Sequence, residues 1–200
     1  MKISLINTGK RFNRDWIFRN INYQFTSGKS YAITGPNGSG KSTLLQVIGG
    51  AIGQSEGNVD FGVETENVYQ HIALAAPYLE VVEEMTATEF LTFHSKFKSF
   101  LPGIEIKQII AKVGLEKTAH KQIRYFSSGM KQRIKLAQAV FSDVACLLLD
   151  EPCTNLDSEG IALYLHLINE YCSNRLVIVS SNDEQEYGFC TERIDMLQWK

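Results

Sequence analysis

No stretch of this 200-residue chain stays apolar for anything near the roughly 20 residues that a membrane-crossing helix needs. The start, Met1-Lys2-Ile3-Ser4, opens like a first strand and lacks an apolar signal segment with a cleavage site. A cytosolic chain is the expectation. An excess of one charge is also missing: 20 Lys and Arg stand against 22 Asp and Glu, a formal net charge of −2. With neither a basic domain nor a Lys/Arg tract, the electrostatic footprint of a nucleic-acid binder is absent, and no nucleic-acid partner is expected. The densest basic spot is only Lys131, Arg133 and Lys135. The four cysteines, Cys146, Cys153, Cys172 and Cys190, have no metal-type spacing and read as free thiols. Cys146 opens an apolar strand and Cys172 lies on a helix face, so both read as packing residues. No sequence repeat and no flexible linker divides the chain.

What is present is a chain that is 44% hydrophobic, enough for a sizeable core in one domain or one core with a small appended subdomain. Residues 1–34 read as short strands joined by turns, with Ile3, Leu5, Ile21, Tyr23 and Phe25 in apolar alternation and Ser27-Gly28-Lys29 as a turn. Residues 41–51 read as a helix ending near Gly49-Gly50, residues 57–61 as a hairpin arm, and Ile72–Ala75 as a short strand. The character changes over 86–125. Thr86-x-x-Glu89 is a capping box before an apolar run. Ile106, Ile109, Ile110 and Val113 mark a second amphipathic helix stopped by Gly114. Then the α/β pattern returns. Met130, Ile134, Ala137 and Phe141 share one face of a long helix, and Ala145–Leu149 is a continuous apolar run of the kind buried in parallel sheets. Ile161, Leu165, Ile168 and Cys172 mark a further helix with Asp157 as N-cap, and Leu176–Val179 is another buried strand. The last strand is expected near Arg193–Trp199, with no room after it for a C-terminal regulatory domain.

Two motifs carry chemistry. Residues 35–43 read Gly-Pro-Asn-Gly-Ser-Gly-Lys-Ser-Thr, a full phosphate-binding loop of the form G-x-x-x-x-G-K-[ST]. Gly35, Gly38 and Gly40 let the loop turn tightly through Pro36, Asn37 and Ser39, so that its N–H groups can point inward. Lys41 brings a point charge to the β- and γ-phosphates, and the Ser42 hydroxyl suits Mg²⁺. The loop lies between an apolar run, Ser30–Thr34, and a helical one that begins at Lys41, Ser42 and Thr43, so the helix N-terminus faces the anion. The second motif is Cys146-Leu147-Leu148-Leu149-Asp150-Glu151-Pro152, an apolar strand ending in two acids. Asp150 would hold Mg²⁺ and Glu151 would polarise the attacking water. In-line attack on a γ-phosphate needs little beyond positioning and charge neutralisation.

These motifs, in this order, resemble those of the ATP-binding-cassette (ABC) ATPase family, and the resemblance covers nearly the whole chain. The segment Tyr125–Arg133 stands where the family has its Leu-Ser-Gly-Gly-Gln signature, here Phe126-Ser127-Ser128-Gly129-Met130. The resemblance implies that Ser127, Ser128, Gly129 and Met130 offer a hydroxyl and helix N-terminal N–H groups to a phosphate. It implies that Phe12, with Trp16 as the other candidate, stacks on adenine, and that Thr154–Asp157 meets another subunit. The implied fold is a phosphate-loop NTPase of the α/β class. It has a mainly parallel sheet flanked by helices, an N-terminal antiparallel β subdomain and an inserted helical subdomain. The expected division of the single domain 1–200 is a β subdomain and core at about 1–75 and 140–200, and a helical insert with the signature at about 78–139.

The chain departs from the family at three places. Where the family has a glutamine before the helical insert, Pro77 or Tyr78 stands, and Gln70 lies too early. Asn182 stands in place of a histidine and can donate a hydrogen bond but carry no charge. Ser128 and Met130 replace glycine and glutamine in the signature.

The resemblance implies a subunit that binds ATP and Mg²⁺ and pairs head to tail with a second cassette, as homodimer or heterodimer. It would drive an integral-membrane permease while peripheral on the inner face of the cell membrane. Short cassettes of this kind resemble exporter subunits, including those for haem. The departures predict slow hydrolysis. The other readings are a degenerate cassette with little hydrolysis in a heterodimer, and a non-transport ATPase acting on nucleic acid or the ribosome.

Overall fold

β-branched and aromatic residues crowd the first sixty positions, and they build two long antiparallel strands. β1 (Lys2–Phe12) pairs with β2 (Asp15–Thr26), and β4 (Glu56–Asp60) adds to the other edge of β1. The computed structural model describes all residues 1–200. The expectation of short strands over 1–34 is corrected here. Asn7 and Asn20 take left-handed φ values of 47° and 56° at bulges that bend the ladder without ending it. Asn22 braces one bulge by accepting from the Asn7 N–H at 2.9 Å and donating to its side chain at 2.8 Å.

The second sheet has the order β5-β6-β7-β3-β8. Its strands are β3 (Ser30–Thr34), β5 (Ile72–Ala75), β6 (Cys146–Asp150), β7 (Leu176–Ser180) and β8 (Glu192–Asp195). β6 runs parallel to β7, and β3 parallel to both β7 and β8. Every residue of β6 and β7 is buried, as a continuous apolar run requires when both faces are covered. The chain is thus α/β with a parallel sheet and an antiparallel β subdomain, as expected. The last strand is shorter than expected. The Asp195 side chain accepts from the Leu197 N–H at 3.0 Å, and Met196–Trp199 form a 3-10 turn.

The helices are α1 (Lys41–Ile48), α2 (Val68–His71), α3 (Ala87–His94), α4 (Ile106–Lys112), α5 (Ser128–Phe141), α6 (Ser158–Tyr171) and α7 (Glu184–Tyr187). None is long and apolar enough to cross a membrane. The capping box forms as the spacing predicts: Thr86 accepts from the Glu89 N–H, and Glu89 accepts from the Thr86 N–H at 2.8 Å. Two thiols are held as thiols by burial, which pushes Cys146 well up and Cys190 up to about 12.

The chain divides into two compact units. One comprises 1–74, 144–151 and 174–200; the other comprises 75–143 and 152–173. The expected division placed 152–173, and about 140–143, with the core, whereas both segments cluster with the helical unit. In that unit α3, α4 and α6 each pack on α5. α6 buries Gly160, Tyr164, Leu167 and Ile168, whereas Leu165, expected on the inner face, is exposed.

Candidate functional site

The phosphate loop follows β3 and leads into α1. Gly40 is the N-cap of α1 at φ 99°, and a Cβ there would come within 2.5 Å of Ile17 Cγ2. No residue but glycine suits both the left-handed backbone and that approach. Lys41 is buried, and its ammonium donates to the carbonyls of Gly35 at 2.9 Å and Pro36 at 3.4 Å. Ser39 is buried beneath the loop, its hydroxyl without a partner and packed against Gly35. Asn37, Gly38, Gly40, Lys41, Ser42 and Thr43 line a cleft of about 270 Å³ together with Ile17 and Glu151.

The two acids at the end of β6 differ sharply. Asp150 is only 2% exposed, and its Oδ1 is buried with no hydrogen bond. A buried carboxylate oxygen without a partner is costly unless something else satisfies it. Glu151 reaches the cleft. It has φ 43°, a left-handed conformation that costs a non-glycine residue about 1–3 kcal/mol and clusters at functional sites. Its N–H donates to the Ser180 carbonyl at 2.9 Å, which fixes the turn. The donor set suits a hard cation with oxygen ligands. One carboxylate and one hydroxyl would leave the remaining positions of such an ion to phosphate and water.

The helical unit has its own cleft of about 350 Å³, lined by Ser127, Ser128, Gly129, Met130, Arg133, Asn155, Leu156 and Asp157. Ser127 caps α5 by accepting from the Met130 N–H at 3.2 Å. A Cβ on Gly129 would lie 3.0 Å from the Asn155 carbonyl, so any side chain there would push that segment away. Asn155 itself has φ 66°. Asp157 caps α6 by accepting from the Gly160 N–H at 2.8 Å and also accepts from Arg133 at 3.4 Å. Gln132 donates to the Pro152 carbonyl at 2.7 Å, tying the start of 152–157 to α5.

A sequence model of the ABC transporter family matches residues 18–154. The chain belongs to that family, as an ATP-binding subunit. It is 32% identical to the ABC transporter ATP-binding protein YybJ of Bacillus subtilis, over 97% of this chain and 92% of that one. It is 29% identical to the cytochrome c biogenesis ATP-binding export protein CcmA of Agrobacterium fabrum, over 92% of this chain and 90% of that one. Among solved structures, the dimeric MJ0796, a bacterial ABC transporter cassette, superposes with a TM-score of 0.81 at 22% identity, covering 97% and 94% of the two chains.

Several candidate residues of this ABC cassette are not among those lining the loop cleft. Trp16 has the guanidinium of Arg19 4.2 Å and that of Arg11 5.5 Å from its ring centroid, and it does not line the loop cleft. Phe12 is half exposed with the Lys10 ammonium 5.1 Å from its ring, and it does not line the loop cleft. Ile17 does, and sequence reasoning missed it. Phe12 pairs with Asp15 beside the hairpin turn, and Ile17 is the extra residue at the register slip between the Arg11–Trp16 and Lys10–Phe18 pairs. Asn182 donates to Asn37 at 2.9 Å and does not itself line the cleft. Pro77 is exposed, and its carbonyl accepts from Lys135 at 3.0 Å; Gln70 donates to Tyr69 at 3.0 Å and lines neither the loop cleft nor the signature cleft.

Proposed function

We propose that this subunit binds Mg·ATP on its phosphate loop, pairs with a second cassette whose signature cleft covers the nucleotide, and hydrolyses ATP slowly to drive a separate membrane permease. The end of β6 carries this reading: an unpartnered buried Asp150 Oδ1 beside a strained Glu151 that opens on the loop cleft. Asp150 and Ser42 would hold Mg²⁺, which would neutralise charge on the phosphates. Lys41 and the loop N–H groups would orient the β- and γ-phosphates. Glu151 would take a proton from water as it attacks the γ-phosphorus, while the bond to the bridging oxygen breaks and ADP leaves. Phe12 would flank the base, and Ile17 would line the cleft beside Gly40. Ser127, Ser128, Gly129, Met130 and Asp157 would serve the partner cassette's nucleotide.

The slow rate follows from two chemical absences. Neither Pro77 nor Tyr78 supplies the side-chain amide, and Asn182 supplies no positive charge and is already bonded to Asn37. Each lost transition-state contact of this kind costs about 10²–10³ in rate. The exposed aromatic pair Phe93 and Phe97, ring centroids 5.0 Å apart, is the surface offered to the permease at the inner face of the membrane. CcmA is named as an export protein, and export is the direction proposed here. Turnover of the complex purified with its membrane partner tests the reading. A rate no higher than that of a Glu151→Gln variant sinks it and favours the second reading, a cassette that binds ATP without hydrolysing it, to which the same two absences point.

A further inference from the structure

β6 and β7 run parallel with Asp150 directly opposite Ser180. Side chains two residues apart on a strand share a face. Cys146 and Leu148 of β6, and Leu176 and Ile178 of β7, belong to the core cluster that includes Leu44, Leu45 and Ile48 of α1. Asp150 and Ser180 therefore continue the face that α1 covers, at the strand ends. Both are buried, Ser180 fully, and each holds one atom without a hydrogen bond, Asp150 Oδ1 and Ser180 Oγ. The Ser180 carbonyl already accepts from Glu151, a bond that any residue's backbone would make. The hydroxyl is what needs a reason, because an alanine would fill this rung without burying an unsatisfied oxygen. Two orphaned oxygens at adjoining positions of one sheet face point to a shared partner that is small, polar and not protein.

We propose that Ser180 is a positioning residue of the magnesium site. Its Oγ accepts from a water of the cation's shell that Asp150 Oδ1 also engages, and so orients the carboxylate toward Ser42. Magnesium dehydrates reluctantly and keeps several waters, which makes a water-borne contact the natural one. Groups that orient a metal's ligands typically carry about 10–100-fold of its affinity. The inference rests on Asp150 being the magnesium carboxylate.

The test is a Mg²⁺ titration of the full chain bound to ATP carrying a methylanthraniloyl fluorophore, with thermal melting of the metal-free protein alongside. Ser180→Ala is expected to raise the half-saturating Mg²⁺ concentration about 10-fold or more. Metal-free nucleotide affinity should stay within about twofold, and the melting temperature should be unchanged or higher, because the variant removes an orphaned oxygen. Ser180→Thr keeps the hydroxyl and should stay near wild type. Should the alanine variant fail to fold, Ser180→Cys, a far weaker acceptor, carries the same readout. An unchanged Mg²⁺ titration in Ser180→Ala, beside a large shift in Asp150→Asn, overturns the inference and leaves the reading of Asp150 standing. No shift in either variant removes both. Equal losses with and without Mg²⁺ make Ser180 merely structural and also overturn it.

Discussion

The loop cleft and the signature cleft are finished in opposite ways. At residues adjoining the first, polar atoms are left unpaired: Asp150 Oδ1, Ser180 Oγ and Ser39 Oγ are buried without partners, and Glu151, which lines the cleft, is held in a strained conformation. In the second, the helix-capping side chains are already paired. Ser127 caps Met130, Asp157 caps Gly160 and holds Arg133, and Gln132 holds Pro152. Free energy is stored in one cleft and relaxed in the other. A surface whose hydrogen bonds close internally needs no ligand to be stable and is suited to docking as a rigid body. A pocket with orphaned oxygens gains from whatever fills it.

The sharpest way to break this contrast is at Glu151. Glu151→Gly should lower turnover by about 10²–10³ through loss of the proposed base. The same change should raise stability by up to about 1 kcal/mol, because glycine accepts φ 43° freely. Activity assays and urea unfolding of one variant read both effects. If stability falls instead, Glu151 is not strained in the folded protein. At the other cleft, Gly129→Val should displace the Asn155 carbonyl. ATPase activity that depends on cassette pairing should drop at least about 10-fold, while nucleotide binding by the single chain is untouched; a parallel loss of binding would show that the two clefts are not independent.

A third prediction concerns the helical unit's polar satisfaction under acid. His94 accepts from Gln138 at 2.9 Å and donates to Ser142 at 2.8 Å, Ser142 in turn donating to the Gln138 carbonyl. That arrangement needs the neutral ring. Burial, helped by Lys98, lowers its pKa from 6.5 to about 4. The unfolded chain therefore binds the proton first. The stability His94 contributes is complete above pH 6.5 and declines as pH falls toward 4. Unfolding midpoints between pH 7 and pH 4.5 should drop more steeply for wild type than for His94→Gln, and identical slopes would count against the network. The smallest effect is at the insert's first helix. Thr86→Ala removes the cap and should cost about 1 kcal/mol with no change in nucleotide affinity.

How much of this was legible depended on whether one residue decided the local physics. β6 was readable because five apolar residues before two acids admit one structure and one chemistry. The box Thr86-x-x-Glu89 was readable because the bonds are local. α6 was misjudged at Leu165 because 161–165 are apolar almost all round, so spacing alone selects no face, and Tyr164, fully buried, wins by packing. The long β1–β2 ladder hid behind its bulges, which slip the alternation that a strand reading relies on. Ile17 was missed because its importance lies in the space above Gly40, a relation between residues far apart in sequence. That Arg11 stands beside Trp16 follows only from the paired register, which spacing along the chain does not give.

The bonds from Lys41 to the carbonyls of Gly35 and Pro36 have a thermodynamic corollary. A lysine side chain free in water has about 1.5–2 kcal/mol of rotamer entropy to lose. Here two of its three donors are already fixed, so that loss falls on folding and not on binding. The remaining donor is aimed before any nucleotide arrives, and affinity is set by charge and fit without a charge for ordering.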